Sequence, residues 1–305
     1  MYDVRQLRVL REVAARGSFS AAADALDYTQ SAVSKQIAAL ERDAGAPLVE
    51  RAVRPLRLTP SGAALAAHAE VVLGRMAAAR DELEAIAGLR AGELRLATFA
   101  SAGPSIVVPA VAAFHAAHPQ VRLRLLEAGP DEAVAMLRAG ELDVAVIHHY
   151  PALDPNSPHP PGLSCASLGE DAFVLVLPAD HCLARKRRIP LASLASEVFL
   201  FPRSREGHGG TYDRLMRGAC AVAGFEPRVL FEINDCQTVQ GFVAAGLGIA
   251  VLPRLALDPV HPEIVVRELS DAPSRRVLSA RLAGAAPSAI ADEAIALLRQ
   301  ASASR

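Results

Sequence analysis

The sequence predicts a multidomain α+β protein: a small helical N-terminal module ending in a short hairpin, one long helix, and a larger C-terminal α/β domain. Three observations carry this. Val33, Ile37 and Leu40 recur at i, i+4 and i+7 behind a tight turn, the stripe of a helix with one buried face. Leu65, Ala69, Val72, Met76, Ala79, Leu83 and Ile86 step by four and three residues in alternation, an a/d heptad seam. From Gly92 the pattern changes to alternating strands and helices, the grammar of an α/β sheet with right-handed crossovers.

Composition bounds the rest. The chain has 305 residues, 51% hydrophobic and 21% charged, room for two or three domains with a sizeable core. No run approaches the ~18 apolar residues of a membrane helix. The N-terminus, Met-Tyr-Asp-Val-Arg-Gln-Leu-Arg, lacks the apolar core of a signal peptide, so the expected location is the cytoplasm, away from membranes. Cys165, Cys182, Cys220 and Cys236 show no CxxC spacing and suit a reducing compartment, with buried free thiols the default. The net charge is -1, yet from Tyr28 to Leu58 five basic residues face three acidic ones. A nucleic-acid partner would then be held by a few placed contacts and by dimerisation, not by a large basic field.

In order, Gln6 to Ala15 reads as a first helix, closed by Arg16-Gly17 with glycine in the left-handed cap. Ser18 is an N-cap for a second, Phe19 to Leu26. The Asp27-Tyr28 turn leads to a third, which Gly45 stops and Pro47 keeps from resuming. On this third helix Ser31, Ser34, Lys35 and Ala38 face away from the apolar stripe, with Gln30 at the near edge. The face is polar, lightly basic and free of carboxylates. Gln pairs with adenine, Lys with guanine or phosphate, Ser with either, and Ala leaves room for a thymine methyl. Two helices and a tight turn, the second polar outward, make a helix-turn-helix for the major groove of double-stranded DNA. Leu48 to Leu58 then forms a hairpin carrying Arg51, Arg54 and Arg57. A solvated loop is the bland alternative; beside the helix-turn-helix, contact with phosphates or the minor groove is favoured. Thr59-Pro60 starts the long helix, with Thr as N-cap and Pro at its first position, and Gly88 ends it.

Ser18-Phe-Ser-Ala-Ala-Ala-Asp-Ala-Leu, Thr29-Gln-Ser-Ala-Val-Ser-Lys-Gln-Ile, Leu40-Glu, Ala44-Gly-Ala-Pro-Leu-Val-Glu-Arg51 and Leu58-Thr-Pro-Ser-Gly62 together resemble the LysR-type transcriptional regulators. Their order and spacing are similar to that family's winged helix-turn-helix over about sixty residues. Ala44 and Val49 stand where the family usually has Leu and Phe, which implies looser packing under the wing. The resemblance implies that the heptad seam pairs two subunits in an antiparallel coil, giving a homodimer or homotetramer; packing against the C-terminal domain is the alternative. Peroxide sensors among relatives raise a thiol switch as a further alternative. The implied domains are 1–59 for DNA binding, 60–88 as linker and dimerisation helix, and 92–305 as effector-binding domain.

In that last domain the strands expected first are Glu93 to Phe99, Val121 to Glu127 and Leu142 to His148, with helices Pro104 to Ala117 and Asp131 to Ala139. Five prolines within Pro151 to Pro161 mark an exposed loop. Strands Ala172 to Leu177, Val198 to Phe201, Arg228 to Glu232, Ile249 to Leu252, Val265 to Leu269 and Arg276 to Leu282 follow, with helices Thr211 to Ala223, Gln237 to Ala245 and Ser288 to Gln300. Two α/β lobes with the chain returning to the first resemble the type 2 periplasmic-binding-protein fold of LysR-type effector domains, and Gly241-Phe-Val-Ala-Ala-Gly-Leu-Gly-Ile-Ala-Val-Leu-Pro253 is similar to its second-lobe signature. Lobe I would span about 92–163 and 269–300, lobe II about 164–268, with crossovers near Leu163 to Leu168 and Val266 to Ser270.

Ligands of open α/β sheets bind beyond the carboxyl ends of strands. That places Ala100, Ser101, Ala102, Gly129, His148, Phe201, Pro202, Arg203, His208 and Asn234 around a candidate effector cleft for a small polar or anionic molecule. The backbone amides of Ala100-Ser-Ala-Gly103 and the Ser101 hydroxyl suit an anion, and the resemblance assigns effector contact to a hydroxyl residue here. Ser101 as a plain helix cap and Arg203 as a solvated side chain are the alternatives. His148 and His149 point to opposite faces of one strand, and His115 and His118 lack a third ligand, so neither metal nor cofactor is expected. No G-x-S-x-G elbow, phosphate-binding glycine loop or paired acids beside a nucleophile indicates an enzyme; a Ser101/His208 pair is the weak exception. A solute-binding protein is the third reading, opposed by the N-terminal DNA module.

Overall fold

The computed structural model describes residues 2–50, 56–86, 92–155, 159–202, 210–233, 235–285 and 288–304, with side chains at 77, 78, 80–86 and 232 left aside. Residues 1–91 together with 135–141 form one compact unit, and 92–134 with 142–305 the other.

In the first unit, helix α1 (Val4–Arg16) opens with a capping box: Asp3 Oδ1 accepts from the Arg5 amide at 2.7 Å, and the Asp3 amide donates to Gln6 Oε1 at 3.2 Å. Gly17 closes it at φ 59°, a left-handed conformation that costs glycine nothing. Helix α2 (Phe19–Leu26) is capped by Ser18 and ends at Asp27, itself left-handed at φ 53°. Thr29 Oγ1 accepts from the Ala32 amide to start α3 (Gln30–Ala44). Leu10, Val13, Val33, Ile37 and Leu40 are fully buried in the shared core. Strands β1 (Val49–Glu50) and β2 (Arg57–Leu58) pair antiparallel and form the base of the wing. Both positions of unusual residue type contribute to this core: Val49 is buried and Ala44 packs at its edge.

Helix α4 (Pro60–Ile86) is anchored to the wing through Thr59, whose hydroxyl donates to the Pro47 carbonyl at 2.7 Å and accepts from the Gly62 amide at 3.0 Å. Gly62 is required by proximity: a Cβ there would lie 1.9 Å from the Leu48 carbonyl oxygen. The expectation that this helix is too long to bury its stripe on its own domain fails for its first half. Ala66 and Ala69 belong to the N-terminal core and Leu65 packs against it, because alanine lets the α4 backbone approach α1 closely. Val72 and Met76, by contrast, are 42% and 51% exposed, and Ala79 is exposed too. Two stripes therefore share the helix, one facing its own domain and one facing outward. The side chains of Leu83 and Ile86 lie outside the described set.

The second unit begins with β3 (Glu93–Thr98), followed by a tight 3₁₀ turn (Ala100–Ala102), a π turn (Gly103–Val107) and α5 (Val108–Ala117). Then come β4 (Arg122–Glu127), α6 (Pro130–Arg138), β5 (Val144–His149) and the long β6 (Leu163–Pro178). After β7 (Arg188–Ile189) and β8 (Val198–Pro202) the order is α7 (Thr211–Val222), β9 (Arg228–Ile233), α8 (Cys236–Ala244), β10 (Ala250–Pro253), β11 (Ile264–Leu269), β12 (Ser274–Leu282) and α9 (Ala289–Ala303). The main sheet runs β4-β3-β5-β12-β6-β11-β7, with β10 also on β6, while β8 and β9 form a parallel pair.

The sheet is mixed, not the parallel one that the strand-helix repeats predict. β3 lies parallel to β4 and β5, but β12 runs antiparallel to both β5 and β6. β6, which carries the chain from one lobe to the next, pairs antiparallel with β12, β10 and β11. β6 pairs with β12 through Ala172 and with β10 and β11 from Phe173 onward. Its exchange of partners falls later than the Leu163 to Leu168 read from sequence, since polar Ser164 to Gly169 is already strand. Three buried clusters stand out among the described residues of this unit. The first holds Leu96, Phe99, Ile106, Phe114 and Val146, closed by Leu298 of α9. The second holds Phe173, Phe199, Phe201, Tyr212 and Met216. The third holds Val174, Val176, Leu200, Val239 and Val243.

The stretch Ala100–Ala117 is, by length and composition, apolar enough to cross a membrane, although no such run was expected. It is a lobe helix: Ile106, Val107, Ala110 and Phe114 enter the first core.

Candidate functional site

Two sites stand out, one in each unit. On α3 the apolar stripe is sealed, with Val33, Ile37 and Leu40 at zero exposure. Gln30, Ser31 and Lys35 are exposed and Ser34 is half-buried on the other side. Ser31 Oγ lies 3.0 Å from Thr29 Oγ1, so part of its hydrogen-bonding capacity is turned to the cap. Arg57 is exposed at the wing's base. Arg51 and Arg54 lie outside the described residues.

The second site is a cavity of about 890 Å³ in the α/β unit, at the carboxyl ends of β3, β4, β5 and β8 and the start of α8. Ala100, Ser101, Gly129, His148 and Pro202 line it, as the strand-end rule predicts. Two predicted residues do not. Ala102 is packed in the first core and Phe201 in the second. The tight turn at Ala100–Ala102 rotates Ala102 inward, and on β8 the alternation that brings Pro202 to the cavity turns Phe201 away. Arg203, His208 and Asn234 fall outside the described residues.

The floor is organised by a residue that sequence reading passed over. Arg275, at the start of β12, is 4% exposed and still lines the cavity. Its Nε donates to Asp171 Oδ2 at 2.9 Å, its Nη2 makes an ion-pair contact with the same oxygen at 2.9 Å, and Nη2 donates to Ser101 Oγ at 2.6 Å. Its guanidinium carbon stands 4.8 Å from the centre of the Phe99 ring, a cation-π contact. Asp171 is equally buried and accepts from the Leu255 amide through its other oxygen at 3.0 Å. A buried charge pair is tolerable only with such full hydrogen bonding. Ser101 is thus no helix cap, for its turn has no side-chain cap bond; its hydroxyl is bound to the guanidinium.

Around this pair the walls are aromatic. Phe99 and His148 meet edge to face at 4.8 Å between ring centres, and His148 and Tyr150 at 5.0 Å. His148 and His149 both line the cavity, although neighbours on one strand should diverge; β5 ends at His149. Burial, and then the positive Arg275, hold the His148 imidazole well below the ordinary histidine range. Its Nδ1 is buried without a hydrogen-bond partner among the described residues. Burial raises the Tyr150 hydroxyl, and raises Tyr212 strongly; the latter donates to the Val251 carbonyl at 2.6 Å. Cys236 also lines the cavity and burial pushes its thiol up to about 11, as it does that of Cys220, so neither is a thiolate near neutrality. Cys182 is exposed, against the expectation of burial. Among the described residues no group of three or more His, Cys, Asp or Glu is arranged to hold a metal ion.

Arg275 left little trace in sequence. It stands one residue before the strand read there, and its partner Asp171 is 104 residues away. An Arg next to an apolar strand is ordinarily a solvated end.

Comparison with known proteins covers both units. Residues 4–63 match the helix-turn-helix of bacterial regulatory proteins of the lysR family, and residues 87–303 match the LysR substrate binding domain. The probable HTH-type transcriptional regulator LrrA of Synechococcus elongatus is 32% identical over 285 residues, which is 93% of this chain and 92% of that protein. Among solved structures, a full-length OxyR variant from Pseudomonas aeruginosa superposes with a TM-score of 0.65 at 25% identity, covering 99% of this chain and 95% of that one. Full-length CbnR complexed with its target DNA gives 0.57 at 24% identity, covering 98% and 100%. The chain belongs to the LysR family of bacterial DNA-binding transcriptional regulators, built from a helix-turn-helix and an effector-binding domain, and is not an enzyme.

Proposed function

We propose that this protein, working in the cytoplasm, reads one DNA sequence through α3 and changes its action when a small metabolite enters the cavity between the lobes. The observation that carries the DNA half is the division of α3: three residues at zero exposure on one side, Gln30, Ser31, Ser34 and Lys35 on the other. Arg51, Arg54 and Arg57 of the wing add backbone contacts. CbnR, of the same fold, has been solved on its target DNA, which supports this use of the module. A dimer would set two recognition helices in successive major grooves of a partly palindromic site. The outward stripe of α4, Val72, Met76 and Ala79, supports pairing of subunits, with Leu83 and Ile86 continuing the seam read from the heptads; Leu65, read into that seam, packs on its own domain instead.

The effector half rests on the cavity. Ala100, Ser101, Gly129, His148 and Pro202 surround it, and a ligand there touches both lobes and so biases the angle between them. The test is a gel shift with the DNA flanking the protein's own gene, in a salt series, with and without a panel of metabolites. The expected result is a specific complex, lost on deleting residues 1–59, whose mobility changes with one metabolite. Equal binding to any duplex would remove the regulatory reading.

A further inference from the structure

The chemistry of the cavity floor indicates what kind of ligand it takes. The carboxylates that line the cavity, Glu127, Asp131, Glu132, Asp154, Asp235 and Asp258, are all exposed at its rim. There water screens them, and Asp235 is already engaged by the Gln237 and Thr238 amides and the Thr238 hydroxyl. Below the rim, the buried charged lining residue is a cation, Arg275. It presents donors, and so does Ser101 once its oxygen accepts from Arg275, since the hydroxyl hydrogen is then free to turn to a ligand. One ring away stands His148, whose buried Nδ1 lacks a partner among the described residues.

Charge decides the rest. Asp171 already neutralises Arg275, so the floor has no net charge when His148 is neutral. A carboxylate seated on Arg275 and Ser101 would bring one uncompensated negative charge into a buried place, which is costly unless another charge arrives with it. His148 is positioned to supply that charge by accepting a proton from solvent.

We infer that the effector site binds a small carboxylate together with one proton, the carboxylate on Arg275 and Ser101 and the proton on His148. This rests on the reading of the cavity as the effector site. The other titratable groups near His148 do not replace it: Tyr150 and Cys236 are pushed upward by burial and stay neutral, and Arg275 stays charged. His149 lines the cavity from the same strand and its Nε2 is likewise buried without a partner among the described residues, but the Phe99 ring that stacks on Arg275 meets His148. Arg214 is an exposed lining residue. In the free protein His148 is neutral near pH 7, with burial and Arg275 both disfavouring its charge. A bound carboxylate raises its affinity for a proton, so between the free and bound values affinity falls about tenfold per unit rise in pH.

The experiment uses the full chain with acetate, butyrate and phenylacetate, each against its primary amide. Imidazole ¹⁵N shifts report His148 protonation, and calorimetry in two buffers of different ionisation heat counts protons. The expected result is binding of at least one acid, its amide about tenfold weaker or worse, uptake approaching one proton, and loss of that uptake in H148Q. Acids that leave the His148 resonances unmoved, amides that bind equally, or a proton that appears on His149 would each overturn the inference. A gel shift on the same unliganded samples keeps the two readings apart, because failure there strikes the DNA-binding reading and not the ligand class.

Discussion

Arg275 of β12 and Asp171 of β6 face each other across the antiparallel pair of these strands, both less than 5% exposed and joined through one carboxylate oxygen at 2.9 Å. The pair is also the middle of a chain of bonds: Ser101 to Arg275, Arg275 to Asp171, and Asp171 to the amide of Leu255, whose side chain packs in the first core. A contact at Ser101 is therefore three hydrogen bonds from the turn that follows β10.

Breaking this pair from one side leaves a buried charge uncompensated. D171N or R275M should destabilise the α/β unit by about 3–5 kcal/mol, read as a lower denaturation midpoint by tyrosine fluorescence. The double variant D171L/R275M should recover most of that loss. A single variant as stable as the wild type would show that the pair is dispensable.

H148Q tests the buried imidazole by stability. The folded pKa of His148 lies well below its unfolded value, so the unfolded chain binds more protons as pH drops under about 6.5. Stability from keeping this ring neutral is present above that point. It is lost, at up to about 1.4 kcal/mol per pH unit, until the folded pKa is reached. The variant should show a flatter acid limb in denaturant titrations between about pH 6.5 and 5; an identical limb would mean that His148 is protonated freely in the native state.

On the DNA side, S34A or K35A should each weaken specific binding by roughly 1–3 kcal/mol while leaving dimerisation intact. Gel shifts with the operator, alongside light scattering, separate the two effects. Unchanged operator affinity in both variants would mean that another face of α3 meets the DNA.

G62A tests the junction of wing and helix. Its new methyl would collide with the Leu48 carbonyl, a backbone atom that moves only with the wing. A loss of about 1–3 kcal/mol is expected, together with faster proteolysis between residues 47 and 60. Wild-type stability would show that the close approach is not maintained in solution.

The outward stripe of α4 is tested by V72E/M76E. Both positions are exposed in the single chain, so the folded protomer should tolerate the change, while subunit pairing should weaken tenfold or more, about 1.4 kcal/mol. Light scattering across a concentration series reads the result, and undiminished association would move the seam to another face.

What was legible in sequence was local. The cap at Ser18, the left-handed turn at Gly17, the stop at Gly45 and the buried stripe of α3 depend on residues within one or two turns of each other, so periodicity and residue type suffice to find them; the caps at Asp3 and Thr29 came only with the structure. The cavity was legible in outline, because strand ends and helix starts follow from the same periodicity; Ser101, Gly129, His148 and Pro202 were found that way. Only the tertiary structure decided the rest. It assigned Ala66 and Ala69 to a different stripe from Val72 and Met76, turned Ala102 and Phe201 into the cores, and made the sheet mixed by placing β12 antiparallel between β5 and β6. It also joined Arg275 to Asp171. No local pattern marks a bond between residues 104 positions apart, for what stabilises it is the low-dielectric space that the fold creates around it.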